Sequence, residues 1–127
     1  MKRLLLVEDD HAIRWSLKRA LSTFFEITET DSALEALRFI NEGAEFDAIV
    51  TDVSLIEGGN PSGLVVASQA RKELPRAAIV VMSGQILSEM AETMLRDIAA
   101  AFLPKPFYVE ELLAVLNESL LAAQGIR

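Results

Sequence analysis

Several polar residues in this sequence stand directly behind short apolar runs. Glu8, Asp9 and Asp10 follow Leu4-Leu5-Leu6-Val7. Asp52 follows the run through Ala48-Ile49-Val50, Ser83 follows Ala78-Ile79-Val80-Val81-Met82, and Lys105 follows Ala101-Phe102-Leu103-Pro104. Were Glu8, Asp9 and Asp52 to converge, their mutual repulsion would raise at least one pKa unless a counter-charge intervened. A hard divalent cation relieves that repulsion. Mg²⁺ takes oxygen ligands in an octahedron at roughly 2.0–2.1 Å and keeps several waters. One or two carboxylates, a backbone carbonyl and a phosphoryl oxygen would complete its shell. Lys105 supplies a fixed positive charge and Ser83 a hydroxyl donor, so the set could hold the three oxygens of a phosphoryl group in transfer. Asp52 is then the nucleophile, forming an acyl phosphate. Taken singly, each residue has a plainer reading: Asp10 as a helix N-cap, Ser83-Gly84 as a turn, Lys105 as a solvated side chain. Their joint occurrence behind four apolar runs favours the chemical reading.

The elements that must position these groups alternate along the chain. The runs at Leu4–Val7, Ala48–Val50 and Ala78–Met82 are continuous and apolar, as strands buried on both faces are. Phe25–Thr30 and Ala101–Leu103 complete five strands. Between them lie helical stripes: Ile13/Leu17/Ala20/Leu21/Phe24, Ala33/Ala36/Leu37/Ile40, Gly63/Val66/Ala67/Ala70/Leu74, Leu87/Met90/Ala91/Met94/Ile98 and Val109/Leu112/Leu113/Leu116/Leu120. Ser32 and Glu35 have capping-box spacing, Gly43 is placed to stop the second helix, and Pro75 to stop the third. Met82, Met90 and Met94 read most simply as core. Five strands alternating with five helices over short linkers predict an α/β fold, a doubly wound parallel sheet with helices on both faces. Such sheets bind ligands at the carboxyl ends of their strands, where the polar residues above lie.

Composition closes off other chemistries. The 127 residues contain no Cys and a single His, His11. Thiolate metal sites, disulfides, cysteine nucleophiles and most histidine triads are therefore excluded. With 12 Lys+Arg against 19 Asp+Glu, the net charge is −7. That is a poor basis for direct nucleic-acid binding, which depends on neutralising phosphates. No apolar stretch approaches the roughly 18 residues of a membrane span, and Glu8-Asp9-Asp10 interrupt the first run too early for a signal peptide. A cytoplasmic location is expected, with no membrane association.

The strings Leu5-Leu6-Val7-Glu8-Asp9-Asp10, Ile49-Val50-Thr51-Asp52, Val80-Val81-Met82-Ser83-Gly84 and Phe102-Leu103-Pro104-Lys105-Pro106-Phe107 occur in an order and spacing that resemble the receiver domain of two-component response regulators. The resemblance covers essentially the whole chain, residues 1–127, as one flavodoxin-like (βα)5 receiver. It implies that Asp52 is the phosphoacceptor, served by a histidine kinase or histidine phosphotransfer protein. Asp9 would bind Mg²⁺ (or Mn²⁺) directly, Glu8 would help through water, and Ser54 would lend its backbone carbonyl. Lys105 would contact the phosphoryl group and precede a cis peptide to Pro106. Ser83 would move to hydrogen-bond the phosphoryl group, and Phe102, at the switch-aromatic position, would turn inward in response. Output would run through the fourth helix, fifth strand and fifth helix. Such a domain is not an enzyme in the usual sense; it catalyses only its own phosphorylation and dephosphorylation.

Three departures from the family pattern stand out. Leu55 and Ile56 replace the usual Met-Pro pair, and the loop from Leu55 to Ser62 is longer than usual, with Gly63 as the matching glycine. Ala99-Ala100-Ala101 stands where the family often has Gly-Ala with acidic residues. The last helix carries Glu110, Glu111 and Glu118 and no Lys or Arg, which puts in doubt the dimer built on charged pairs there. Trp15 lies off the apolar face of its helix, as a half-packed surface residue or an interface anchor. A non-phosphorylated pseudo-receiver that only docks partners is the alternative function. It ranks lower because Asp9, Asp52, Ser83 and Lys105 are all present. A flavin or dinucleotide protein of similar topology would need a small-residue or glycine loop behind the first strand instead of Glu8-Asp9-Asp10. A stand-alone receiver acting through protein contacts is expected, an excised domain of a longer regulator being the other possibility.

Overall fold

Leu4, Leu5, Leu6 and Val7 are wholly shielded from solvent, which requires cover on both faces of the strand they form. The computed structural model, which describes residues 1–54, 63–123 and 125, supplies that cover by alternation. In chain order the elements are β1 (Lys2–Val7), α1 (His11–Leu21), β2 (Phe25–Thr30), α2 (Ala33–Asn41), β3 (Ala48–Asp52), α3 (Gly63–Glu73), β4 (Ala78–Ser83), α4 (Glu89–Asp97), β5 (Ala101–Pro104) and α5 (Val109–Ala123). The strands pair in parallel in the order β2-β1-β3-β4-β5. This is the flavodoxin-like doubly wound sheet predicted above, with its topological switch between β1 and β3.

The two-residue period of a strand divides the core into two layers. Leu4, Leu6, Val50, Val80 and Met82 face α1 and α5, meeting Leu17, Leu21, Leu112, Leu116 and Leu120. Leu5, Val7, Ile49, Ile79 and Val81 face the other way, onto Ala36 and Ile40 of α2, Val66 and Ala70 of α3, and Leu95 of α4. Each fully buried Leu, Ile or Val contributes about 1.5–3 kcal/mol from water exclusion.

Polar side chains set the helix starts. Asp10, Ser32 and Ser88 each accept a backbone N–H three residues on, from Ile13 (2.9 Å), Glu35 (3.0 Å) and Ala91 (3.1 Å). Thus Asp10 is an N-cap, as its plainer reading had it. The ends of α2 and α4 share one pattern. Ala44 N–H bonds Phe39 O and Gly43 N–H bonds Ile40 O; likewise Ala100 N–H bonds Leu95 O and Ala99 N–H bonds Arg96 O. Both are Schellman ends with the turning residue at positive φ, 89° at Gly43 and 55° at Ala99.

Two sequence expectations fail at element ends. Phe24 lies past the end of α1 and is exposed. On α4, Met90 is 83% exposed and Met94 half-buried, while the buried residues are Ala91 and Leu95. The face is Leu87/Ala91/Leu95/Ile98, because α4 meets the sheet rotated from the stripe read off the sequence. Met82 is fully buried as expected, and Trp15 is 55% exposed beneath the guanidinium of Arg19. The loop from Leu55 to Ser62 lies outside the described residues.

Candidate functional site

Parallel register brings the polar residues to one rim. Asp52, the last residue of β3, pairs with Met82, and Ser83 pairs with Pro104. Glu8 follows β1 directly, its N–H donating to Thr30 O (3.1 Å) and so extending the β1–β2 pairing by one step. Carboxylate oxygens of Glu8, Asp9 and Asp52 all lie within 4.8 Å of one another. Lys105, one residue past β5, spans two of them: its Nζ donates to Glu8 Oε1 (2.6 Å) and to Asp52 Oδ2 (3.2 Å). The Lys105-Pro106 peptide is cis, as expected.

Glu8 is the most enclosed of the three carboxylates. It has no exposure to solvent, and it is held by direct bonds. One carboxylate oxygen takes Lys105 and the other takes the Asp10 N–H (3.1 Å). Burial pushes the Glu8 carboxyl above the ordinary glutamate value, against the opposing pull of Lys105 and the Asp10 N–H. For Lys105 burial acts downward, but the bond to Glu8 and the charge of Asp52 outweigh it and the ammonium is held above its ordinary range. One cation thus offsets two carboxylates, and Asp9 makes a third.

The remaining site residues sit around this centre. Ser54, exposed, donates its N–H to Asp52 Oδ1 (3.3 Å). Ser83 is buried, and its hydroxyl is engaged with the backbone of Gln85, accepting from the N–H (3.0 Å) and donating to the carbonyl (3.2 Å). Phe102 is 37% exposed on β5. Gly63 presses on the acceptor strand: a Cβ there would stand 1.8 Å from Asp52 O, and its N–H bonds Val53 O (2.9 Å). That close approach explains a glycine at the first position of α3.

Chemically, the cluster offers hard oxygen donors beside a nucleophilic carboxylate and an ammonium. The donor set suits Mg²⁺, whose charge would relieve the like-charge repulsion that Lys105 only partly offsets. The sequence missed Arg14. Its Nη1 donates to the backbone carbonyl of Glu8 (2.8 Å) and its Nε to Glu29 Oε1 (3.1 Å). A weak signal was available, since Arg14 stands four residues past the N-cap Asp10, within reach of the turn it closes.

Residues 4–117 match the response regulator receiver domain family. The chain belongs to that family. The receiver is 35% identical over 92% of its length to the sensor kinase CckA of Brucella abortus and covers 12% of that protein. It is 33% identical over 92% of its length to the transcriptional regulator NtrC of Azospirillum brasilense and covers 24% of it. The chain therefore spans a minor part of the curated relatives it matches. Among solved structures, a receiver protein of Sinorhizobium medicae superposes with TM-score 0.86 at 28% identity, 96% of each chain being covered. A Burkholderia pseudomallei response regulator, with a phosphorylated aspartic acid and a calcium ion, superposes with TM-score 0.79 at 29% identity, over 98% of this chain and 72% of that one. A two-component receiver is thus established as the class. Among the described residues, no helix is long and apolar enough to cross a membrane.

Proposed function

We propose that residues 1–127 act as one phosphorylatable receiver in which Asp52 accepts a phosphoryl group from a phosphohistidine on a histidine kinase or phosphotransfer protein. The carrying observation is the triad of carboxylates within 4.8 Å of one another, two of which, Glu8 and Asp52, are bridged by Lys105. A carboxylate oxygen of Asp52 attacks phosphorus, the P–N bond to the donor imidazole breaks, and an acyl phosphate remains on Asp52. Bound at Asp9, Asp52 and the Ser54 carbonyl, with Glu8 alongside, Mg²⁺ (or Mn²⁺) would supply charge neutralisation for the phosphoryl oxygens. Lys105 holds a phosphoryl oxygen by its ammonium. Ser83 leaves Gln85 to donate its hydroxyl to the phosphoryl group, and Phe102 turns inward behind it.

The added charge, about −1.5 to −2 if it behaves like other phosphoryl modifications, biases this Ser83/Phe102 element and alters the surface of α4, β5 and α5. The phosphorylated aspartic acid and calcium ion of the Burkholderia relative support the reading by likeness. The receiver acts in the cytoplasm through protein contacts and does no catalysis beyond gaining and losing its own phosphoryl group.

The test is intact mass after incubation with acetyl phosphate, with and without Mg²⁺, beside Asp52→Asn. One phosphoryl group gained only with Mg²⁺, and absent from the variant, is the expected result. No gain in the wild type together with no detectable Mg²⁺ binding would overturn the proposal.

A further inference from the structure

We infer that Arg14 is a positioning residue for the cation site: its guanidinium, anchored on Glu29, fixes the β1–α1 turn that presents Glu8 and Asp9. The inference rests on the proposed reading of the carboxylate cluster as a Mg²⁺ site. Arg14 is mostly buried, with 14% of its side chain exposed, and its nitrogens serve separate partners. Nη1 donates to Glu8 O (2.8 Å), Nε to Glu29 Oε1 (3.1 Å), and Nη2 lies 3.1 Å from His11 Nδ1.

The bond to Glu8 O matters because of where that carbonyl lies. Glu8 is tied at its N–H to Thr30 of β2 and at its carboxylate to Lys105 and the Asp10 N–H. Arg14 completes the set at the carbonyl. With it in place the peptide plane between Glu8 and Asp9 cannot rotate without breaking a charge-assisted bond. That plane sets the direction in which Asp9 leaves the chain.

Glu29 is the anchor. It takes Arg14 on one carboxylate oxygen and Lys18 on the other, so the guanidinium is held from β2 as well as from α1. A lysine at position 14 offers one nitrogen and cannot span Glu8 O and Glu29 in this fork geometry. Groups that orient metal ligands from outside commonly change metal affinity by 10–100-fold when removed.

The experiment measures Mg²⁺ dissociation constants by calorimetry for wild type, Arg14→Ala, Arg14→Lys, Glu29→Gln and the Arg14→Ala/Glu29→Gln double variant. Amide hydrogen exchange at Asp10 and urea midpoints are followed in the same proteins in EDTA. The expected result is a loss of about tenfold in Mg²⁺ affinity for Arg14→Ala, a smaller loss for Arg14→Lys and for Glu29→Gln, and a double variant no worse than Arg14→Ala. Exchange at Asp10 should rise more in Arg14→Ala than the change in its urea midpoint accounts for. Wild-type Mg²⁺ affinity and Asp10 exchange in every folded variant would overturn the role of Arg14 and leave the cation site standing. No Mg²⁺ binding by the wild type would overturn the cation-site reading and the inference with it. Should Arg14→Ala fail to fold, Arg14→Lys and Glu29→Gln decide, the first removing the fork and the second the charge that anchors it, with Lys18→Met as the control for the other ion pair of Glu29.

Discussion

Lys105 carries the electrostatic balance of the site, because the carboxylate it neutralises most closely, Glu8, has no exposure to solvent. Removing one partner of such a pair costs about 3–5 kcal/mol when the other stays charged. The sign of the pH dependence follows from the direction of the Glu8 shift. Burial raises its folded-state pKa above the ordinary 4.5, so its contribution is fully present below that value and is lost as pH rises through the folded value. Without the ammonium the folded value rises further. In EDTA, Lys105→Met should therefore lose about 3 kcal/mol at pH 8 and less at pH 5, because lowering the pH favours protonation of a carboxyl whose folded-state value burial has raised. Urea unfolding at the two pH values measures this. An equal deficit at both would mean that Glu8 does not depend on Lys105 for its charge.

At the scale of elements, the α4 end offers a comparison inside one molecule. The Schellman turn of α2 uses Gly43 at φ 89°, whereas that of α4 uses Ala99 at φ 55°. An L-residue in the left-handed region costs about 1–2 kcal/mol, part of which a glycine returns to the unfolded chain as entropy. Ala99→Gly should therefore stabilise by about 0.5–1 kcal/mol, seen as a higher urea midpoint at constant slope. A lower midpoint would show that the turn is not strained. The turn persists because Arg71 of α3 donates to Ile98 O (2.7 Å) and Ala99 O (3.3 Å), and also to Pro75 O and Ala77 O. No reading of the sequence singled out Arg71 or Arg14. Both bond backbone carbonyls, and a carbonyl leaves no trace in residue type. The three central strands β1, β3 and β4 were legible because burial on two faces demands unbroken apolar runs, whereas the edge strands β2 and β5 are less buried and carry a weaker pattern. The rim residues were legible because each follows such a run. The α4 face was misread because Met90, Met94 and Leu95 are all apolar, and only the packing angle of the helix decides which of them faces the sheet.

For the molecule as a whole, cation binding must appear as stability, since a ligand that binds the native state alone stabilises it by mass action. At ten times its dissociation constant the gain is about 1.4 kcal/mol, which in a chain of this size raises the melting temperature by roughly 3–6 °C. The net charge of −7 complicates the measurement, because any salt screens self-repulsion and helps an acidic fold somewhat. Two controls separate the effects. NaCl at matched ionic strength supplies the screening alone. Glu45→Gln, an exposed residue just before β3 at the opposite end of the sheet from the carboxylate rim, removes the same unit of charge as Asp9→Asn without touching that rim. The Mg²⁺-specific rise should survive in Glu45→Gln and vanish in Asp9→Asn, as read by calorimetric melting. Equal rises in both variants would assign the effect to diffuse charge and remove the thermodynamic support for a cation held between β1 and β3. A rise confined to proteins that keep Asp9 would tie the acidity of the molecule to one place, the switch point where its parallel strands part.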